Sequence, residues 1–309
     1  MPLRRNSPLS MQPKPSCDNM DGPSAFAGGP FGFHAACAAI VGKDASVEAL
    51  TLEQFNDLNA KYEAGTATAD DLRALEPYRA KRAVLLASGF GSRMLPITIN
   101  TPKPLVNVNG TRIIESLLDA LLAIDVEEIY IVTGYMGECF ELLKHKYPMI
   151  TLLTNPQYAT TNNISSACVA KDCFQNAYVF ESDLFLKNPG LLKKYRYRSC
   201  YMGVPVEETP DWCFDTVDGR IVDLHKGGKN CHHMYGISYW TAEDGEKLSR
   251  DLPAAFESDD ETKQRFWDDV PCVICRDHYD IAIEECTFDD VAEIDSLAEL
   301  QEIDPRYKM

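Results

Sequence analysis

A doubly wound, mostly parallel (Rossmann-like) α/β sheet is the fold this 309-residue sequence predicts, with a small mixed subdomain after it and a short helical extension before it. Two observations carry that expectation. Between about residues 81 and 181, short apolar runs alternate with amphipathic stretches, the pattern of repeated βα units and hence of parallel strands joined by crossover helices. The first apolar run, residues 83–87, passes directly into Ser88-Gly-Phe-Gly-Ser-Arg93, and sheets of this kind bind ligands at the carboxyl ends of their strands.

The elements follow in order. Residues 1–33 are rich in Pro, Gly and Ser and are expected to be disordered. Residues 34–80 form the helical extension: Leu50, Leu52, Phe55, Leu58 and Tyr62 recur at two- to four-residue steps, and Thr68 caps a second short helix ending at Leu75. A helix pair of this size suits a DNA-binding module, but its acidic residues outnumber its basic ones, which favours packing or an interface, a homo-oligomer contact included. The main domain runs over 81–309, divided into a first part (81–195) that carries the glycine loop and a second part (196–309). In the first part, strands are expected at 83–87, 128–133, 150–153 and 177–181, and helices at 113–124, 137–145 and 164–174. In the second, short strands at 201–206 and 221–224 flank an Asp218-Gly219 turn, and 235–240 adds another. Thr241 then caps a helix reaching residue 252, with Asp244 in capping-box position. A helix over 262–275, a strand over 279–285 and a last helix from residue 296 complete the chain.

Composition narrows the function. The apolar (45%) and charged (25%) fractions are those of a globular protein, and the net charge of −17 lacks the basic footprint that nucleic acid or an anionic membrane requires. An anionic substrate must therefore be held by local cations. The 11 cysteines show no paired metal spacing beyond one Cys272-x-x-Cys275, so reduced core cysteines are expected. The segment 25–42 is too interrupted to span a membrane. Arg4 and Arg5 precede no signal-type apolar run, and a cytoplasmic location is expected.

The chemistry starts at the glycine loop. Gly89 and Gly91 allow backbone N–H groups to face an anion, Arg93 adds a forked donor and Lys103, in Thr101-Pro-Lys-Pro-Leu105, a mobile point charge. A triphosphate needs that combination. Gly134-Tyr135 and Glu181-Ser-Asp183 also fall at strand ends. Asp183 and Asp295 are candidate ligands for Mg²⁺, which takes one or two carboxylates plus phosphate oxygens; taken alone, Asp183 reads as a turn residue and Asp295 as a helix cap. Glu181 and Glu293 are flanking carboxylates. Lys226 and Lys229 sit in a second glycine-rich loop, placed either on an acceptor phosphate or pyrophosphate or in a solvated turn.

From about residue 82 onward the chain resembles the sugar-nucleotide-type nucleotidyltransferases, and within them the bacterial CTP:phosphocholine cytidylyltransferases. The residues that carry the resemblance are Leu86-Ala-Ser-Gly-Phe-Gly-Ser-Arg93 with Thr101-Pro-Lys-Pro104, Val132-Thr-Gly-Tyr135, Thr161-Asn-Asn-Ile164, Glu181-Ser-Asp183, Gly236-Ile-Ser-Tyr-Trp240, Phe266-Trp-Asp268 and Glu293-Ile-Asp-Ser296. Ser88 stands where the family usually carries Ala. The resemblance implies that Ala87, Ser88, Gly89, Phe90, Gly91, Ser92, Arg93 and Lys103 hold the CTP phosphates, with Arg93 and Lys103 catalytic. Asn162 and Asn163 would help position the nucleotide or the phosphocholine phosphate, Glu181 would lie with the nucleotide, the cytosine would lie near Gly134 and Tyr135, and Asp183 and Asp295 would hold Mg²⁺. A quaternary ammonium is held by cation–π contact, so Trp212 and Trp267, with Asp268 and Lys226, are the expected acceptor residues for phosphocholine. A primary-amine acceptor (2-aminoethylphosphonate or phosphoethanolamine), a sugar 1-phosphate and a non-catalytic nucleotide-binding protein are the alternatives.

Overall fold

Val84, Leu85 and Leu86 have no polar neighbour to turn toward water, so the first strand can only be central. In the computed structural model, which describes residues 49–308, this strand lies in the middle of a seven-stranded sheet. The expected disorder of residues 1–33 and the interrupted apolar segment 25–42 lie outside the described residues. Two helices come first, α1 (Leu52–Glu63) and α2 (Ala69–Leu75), each opened by a capping box, from Thr51 and from the expected Thr68. Then follow β1 (Arg82–Ala87), the small hairpin β2 (Asn107–Val108) and β3 (Thr111–Arg112), α3 (Ile113–Ala123), β4 (Glu128–Thr133), β5 (Ile150–Thr154), α4 (Ile164–Val169), β6 (Ala177–Glu181) and β7 (Leu184–Leu186). The second part contains β8 (Cys200–Val217), β9 (Arg220–Trp240), α5 (Ala242–Ser258), β10 (Ala282–Glu285), β11 (Val291–Glu293) and α6 (Leu297–Ile303).

The sheet order is β10-β8-β9-β6-β1-β4-β5. Strands β6, β1, β4 and β5 are mutually parallel, as the βα rhythm requires, and β9 joins β6 antiparallel. The chain winds from β1 out to β5 and returns to β6 on the other side of β1. The crevice above β1 and β6 is thus a topological switch point, where open α/β sheets bind ligands. Helix α3 buries Ile114, Leu117, Leu118 and Leu121 against one face of the sheet. The other face is covered by α4, α5 and an aromatic group containing Trp240 and Trp267.

Several expectations need correction. The short strands at 201–206, 221–224 and 235–240 are one ribbon, β8 and β9 pairing along their length about Asp218-Gly219 with several register shifts. Lys226 and Lys229 are therefore strand residues, and Lys229 pairs with Glu208 at 3.5 Å. The helix expected over 262–275 is a 3₁₀ turn at Thr262–Gln264 and a single π turn at Val270–Ile274. Pro271 cannot donate the N–H a regular helix needs there, and Asn162 N–H reaches the Lys263 carbonyl at 2.9 Å, tying this segment to a loop. The helix expected over 164–174 ends at Val169, and 137–145 is a 3₁₀ stretch. At residue 241, Thr241 does cap α5, but Asp244 does not close the box: it accepts from Ser199 Oγ, which in turn accepts from the Thr241 N–H.

The described part of the extension, from residue 49 onward, packs against the main domain. Phe55 and Leu75 are buried with Tyr195, Tyr78 stacks on Tyr197 at 5.5 Å, and the Leu50 N–H donates to the Tyr78 hydroxyl. All nine cysteines among the described residues are free.

Candidate active site

The glycine loop leaves the carboxyl end of β1 and turns at Gly91, whose φ of 63° a side chain would strain; a Cβ there would also press on Lys103 and Thr98 at 3.0 Å. Packing of that turn against residue 103 carries Lys103 under the loop. At the end of β4, a Cβ on Gly134 would lie 2.5 Å from the Tyr158 ring and 2.8 Å from the Ser88 carbonyl. That close approach lets the Tyr135 N–H donate to Ser88 O at 3.1 Å. Gly134 and Tyr135 thus brace the loop from behind, and Phe90 packs between Tyr135 and Tyr158, 5.3 Å from each ring.

In front of the loop is a cavity of about 310 Å³. Ala87, Ser88, Gly89, Gly91, Ser92, Arg93, Lys103, Asn162, Asn163, Glu181, Asp183 and Asp295 all line it, so the structure brings these predicted residues together. Phe90, Gly134 and Tyr135 stand outside its wall. Ser88, the departure from the resembled family, is buried and its hydroxyl meets Ser166 Oγ at 2.7 Å. Asn155 Nδ2 donates to both Ser165 and Ser166, continuing a polar chain toward Thr161. Asn162 is bound to the Gln264 carbonyl, and Asn163 donates to Glu181 while accepting from the Trp267 N–H.

Lys103 Nζ lies between Asp183 (2.9 Å) and Asp295 (2.7 Å). Burial works against its charge, but the two carboxylates outweigh that and hold its pKa above the ordinary lysine value. Arg93 meets Asp295 with both terminal nitrogens, at 2.7 and 2.8 Å. Asp183 Oδ1 is buried with no hydrogen-bond donor. Asp183, Glu293 and Asp295 each bring a carboxylate oxygen within 4.8 Å of the others. Glu293 as a third member was not foreseen as a ligand, although its two-residue spacing from Asp295 places both on one side of an extended chain. Tyr158 was missed as well, in a loop without periodicity.

A second cavity, of about 270 Å³, opens beside the first and shares Arg93, Glu181, Asp183, Phe266 and Asp295 with it. Its own residues include Asp211, Trp212, Lys226, Asp268, Asp269 and Glu293. Trp267 is absent from this wall: it is 2% exposed and packs among Phe174, Tyr201 and Trp240. The expected pair of tryptophans is corrected to Trp212 and Phe266, edge to face at 5.6 Å. The Trp267 N–H donates to Asn163 Oδ1 at 2.8 Å, which ties its backbone to the loop while its ring lies in the core.

The carboxylates of this cavity are crowded. Burial and its acidic neighbours Asp183, Asp268 and Glu293 push Glu181 well above the usual carboxylate range. Burial raises Asp268 to about 7, even though it accepts from the Tyr201 hydroxyl. Burial, then Asp183, Asp295 and Asp211, raise Glu293 to about 8. Such a cluster is built to meet positive charge.

Residues 82–197 match the nucleotidyl transferase family model. A 2-aminoethylphosphonate cytidylyltransferase of Lancefieldella rimae is 39% identical over 232 residues, covering 73% of this chain and 92% of that protein. The chain belongs to the nucleotidyl transferase family. A choline-phosphate cytidylyltransferase of Streptococcus pneumoniae is 32% identical over 226 residues, with 72% and 96% covered. The solved structure of the CTP:phosphocholine cytidylyltransferase of that species superposes with a TM-score of 0.67 at 31% identity, covering 73% of this chain and 98% of that one. This nucleotidyltransferase is therefore an enzyme, and the relatives just described, which it matches over most of its length, are cytidylyltransferases. Among its described residues no helix is long and apolar enough to cross a membrane.

Proposed function

We propose that this cytidylyltransferase transfers CMP from CTP to a small phosphonate or phosphate bearing a primary ammonium, with 2-aminoethylphosphonate the best-fitting acceptor. An acceptor oxygen attacks the α-phosphorus in line, the bond to the β-phosphate oxygen breaks, and pyrophosphate leaves. The observation that carries the choice is the composition of the second cavity: Glu181, Asp211, Asp268, Asp269 and Glu293 face two rings, Trp212 and Phe266. A quaternary ammonium donates no hydrogen bonds and needs aromatic walls. A primary ammonium donates three and satisfies buried carboxylates. With Trp267 in the core, phosphocholine loses a wall of its expected cage. The higher identity to the aminoethylphosphonate enzyme favours the same choice.

In this reading Arg93, Lys103 and the Gly89–Ser92 loop hold the triphosphate. Asn163 orients Glu181, and Lys226 with Arg93 faces the acceptor's phosphonate. Asp183, Glu293 and Asp295 fit a hard divalent cation, because they offer clustered oxygens and one has no donor. Mg²⁺ bound there would neutralise charge on the reacting phosphates. The side chains' contribution is to position and to balance charge, which is what phosphoryl-type transfer needs.

The test is pyrophosphate release from CTP with 2-aminoethylphosphonate, phosphoethanolamine, phosphocholine and glucose 1-phosphate. A kcat/KM for a primary-amine acceptor at least about tenfold above phosphocholine, roughly 1.4 kcal/mol of discrimination, is expected. Preference for phosphocholine would overturn the acceptor assignment and leave the mechanism standing.

A further inference from the structure

The two cations that a triphosphate would claim are the same two that now occupy Asp295. Its Oδ1 accepts from Lys103 Nζ and Arg93, and its Oδ2 meets Arg93 again. Asp183 gives Oδ2 to Lys103 and keeps only Oδ1 unpaired. Of the three carboxylates fit for a cation, one is fully engaged and one half engaged by residues lining the nucleotide cavity. The two engagements differ in strength. Arg93 has a side chain 70% exposed, where ion pairs are worth little. Lys103 is 11% exposed between part-buried carboxylates, so water competes poorly for it.

We infer that Lys103 is a gate: without nucleotide its ammonium stands in for the divalent cation between Asp183 and Asp295, and a triphosphate draws it onto the phosphates and frees the carboxylates. This rests on the cation reading above. Nucleotide and metal then bind with positive coupling, and by linkage each raises the affinity of the other. The free enzyme keeps three crowded carboxylates together without a metal, and the metal site is completed only when there is a phosphate to share it. Of the two other clusters with metal-type donors among the described residues, Asp215 with Asp223 and His225 lies outside both cavities, and in Asp251 with Cys275 and His278 the Asp251 Oδ2 is already met by His278 Nδ1 and the Tyr279 hydroxyl, each at 2.7 Å.

The experiment is Mn²⁺ binding to nucleotide-free protein by titration calorimetry, in wild type, Lys103→Met and Lys103→Gln, with Asp183→Asn in each background. Circular dichroism checks the fold, and Gln keeps an uncharged N–H donor group in case Met does not fold. Both Lys103 variants should bind Mn²⁺ at least about fivefold tighter than wild type, within the usual range of site–site coupling. They should also gain more thermal stability from the metal, and Asp183→Asn should remove both effects. Equal Asp183-dependent affinity in wild type and both variants would overturn the gate while leaving the cation site in place. Absence of Asp183-dependent binding in every protein, even with a non-hydrolysable CTP analogue, would remove the cation site and the gate with it.

Discussion

Truncating Trp212 should weaken acceptor binding and leave the fold intact, whereas truncating Trp267 should do the reverse. Trp212 sits in the ribbon at the cavity wall and meets Phe266 edge to face, so Trp212→Ala removes a surface that an aminoalkyl chain would cover. The acceptor KM should rise several-fold, with the CTP KM and melting temperature little changed. Trp267 touches three aromatic rings in the core. Its replacement by Ala should cost about 3–5 kcal/mol of stability, read as a lower denaturation midpoint before any kinetic effect. An unchanged acceptor KM in Trp212→Ala would exclude that ring from the pocket. Sequence reasoning could name the two indoles but not separate them. Phe266 and Trp267 are adjacent in a segment that is neither helix nor strand, so no periodicity says which side chain faces inward. Arg93, Lys103, Asp183 and Asp295 were legible because each follows a recognisable strand or loop whose end is set by the sheet.

Helices α1 and α2 attach at the amino end of β1, where Ala80 N–H reaches the Lys194 carbonyl and Arg79 pairs with Tyr195. The glycine loop leaves the opposite end of the same six-residue strand, roughly 17–20 Å away at about 3.3 Å per residue. Deleting residues 49–75 should therefore leave the CTP KM within about twofold while lowering stability. It uncovers the partners of Phe55 and Leu75, each worth about 1.5–3 kcal/mol on burial, and a melting temperature lower by several degrees is expected. A truncated protein with unchanged melting temperature would show that this packing contributes nothing. Parallel strands and amphipathic helices were readable here because buried runs such as 83–87 and faces such as Ile114, Leu117 and Leu121 leave one assignment. The β8–β9 ribbon was not, because Pro205, Glu207, Glu208 and Pro210 interrupt any alternation and its register shifts break the period. Pairing with a partner strand, which no local pattern encodes, holds it together.

Across the whole molecule, a few of the acidic residues behind the net charge of −17 are buried, where a charge costs most. Asp268 is raised from 3.8 to about 7 and Glu293 from 4.5 to about 8, both first by burial. Unfolded, these groups lose their protons near pH 4; folded, they hold them to near neutrality. For these two groups the unfolded chain thus binds fewer protons than the native one between about pH 4 and 8, and their contribution to stability falls as pH rises through that window, opposed there by His233, whose pKa burial lowers. Asp304 and Asp71, held low by hydrogen bonds from Arg306 and Thr68, have the opposite sign but act only at more acid pH. The melting temperature in chelator should therefore be higher at pH 6 than at pH 8.5. Asp268→Asn, which has no proton to lose, should flatten the slope. The same substitution should weaken acceptor binding, since the charge that destabilises the empty pocket is the one an ammonium would neutralise. A melting temperature that rises from pH 6 to 8.5, or a slope unchanged by Asp268→Asn, would mean that Asp268 is ionised throughout and that the cavity is open to water rather than held dry for a cationic substrate.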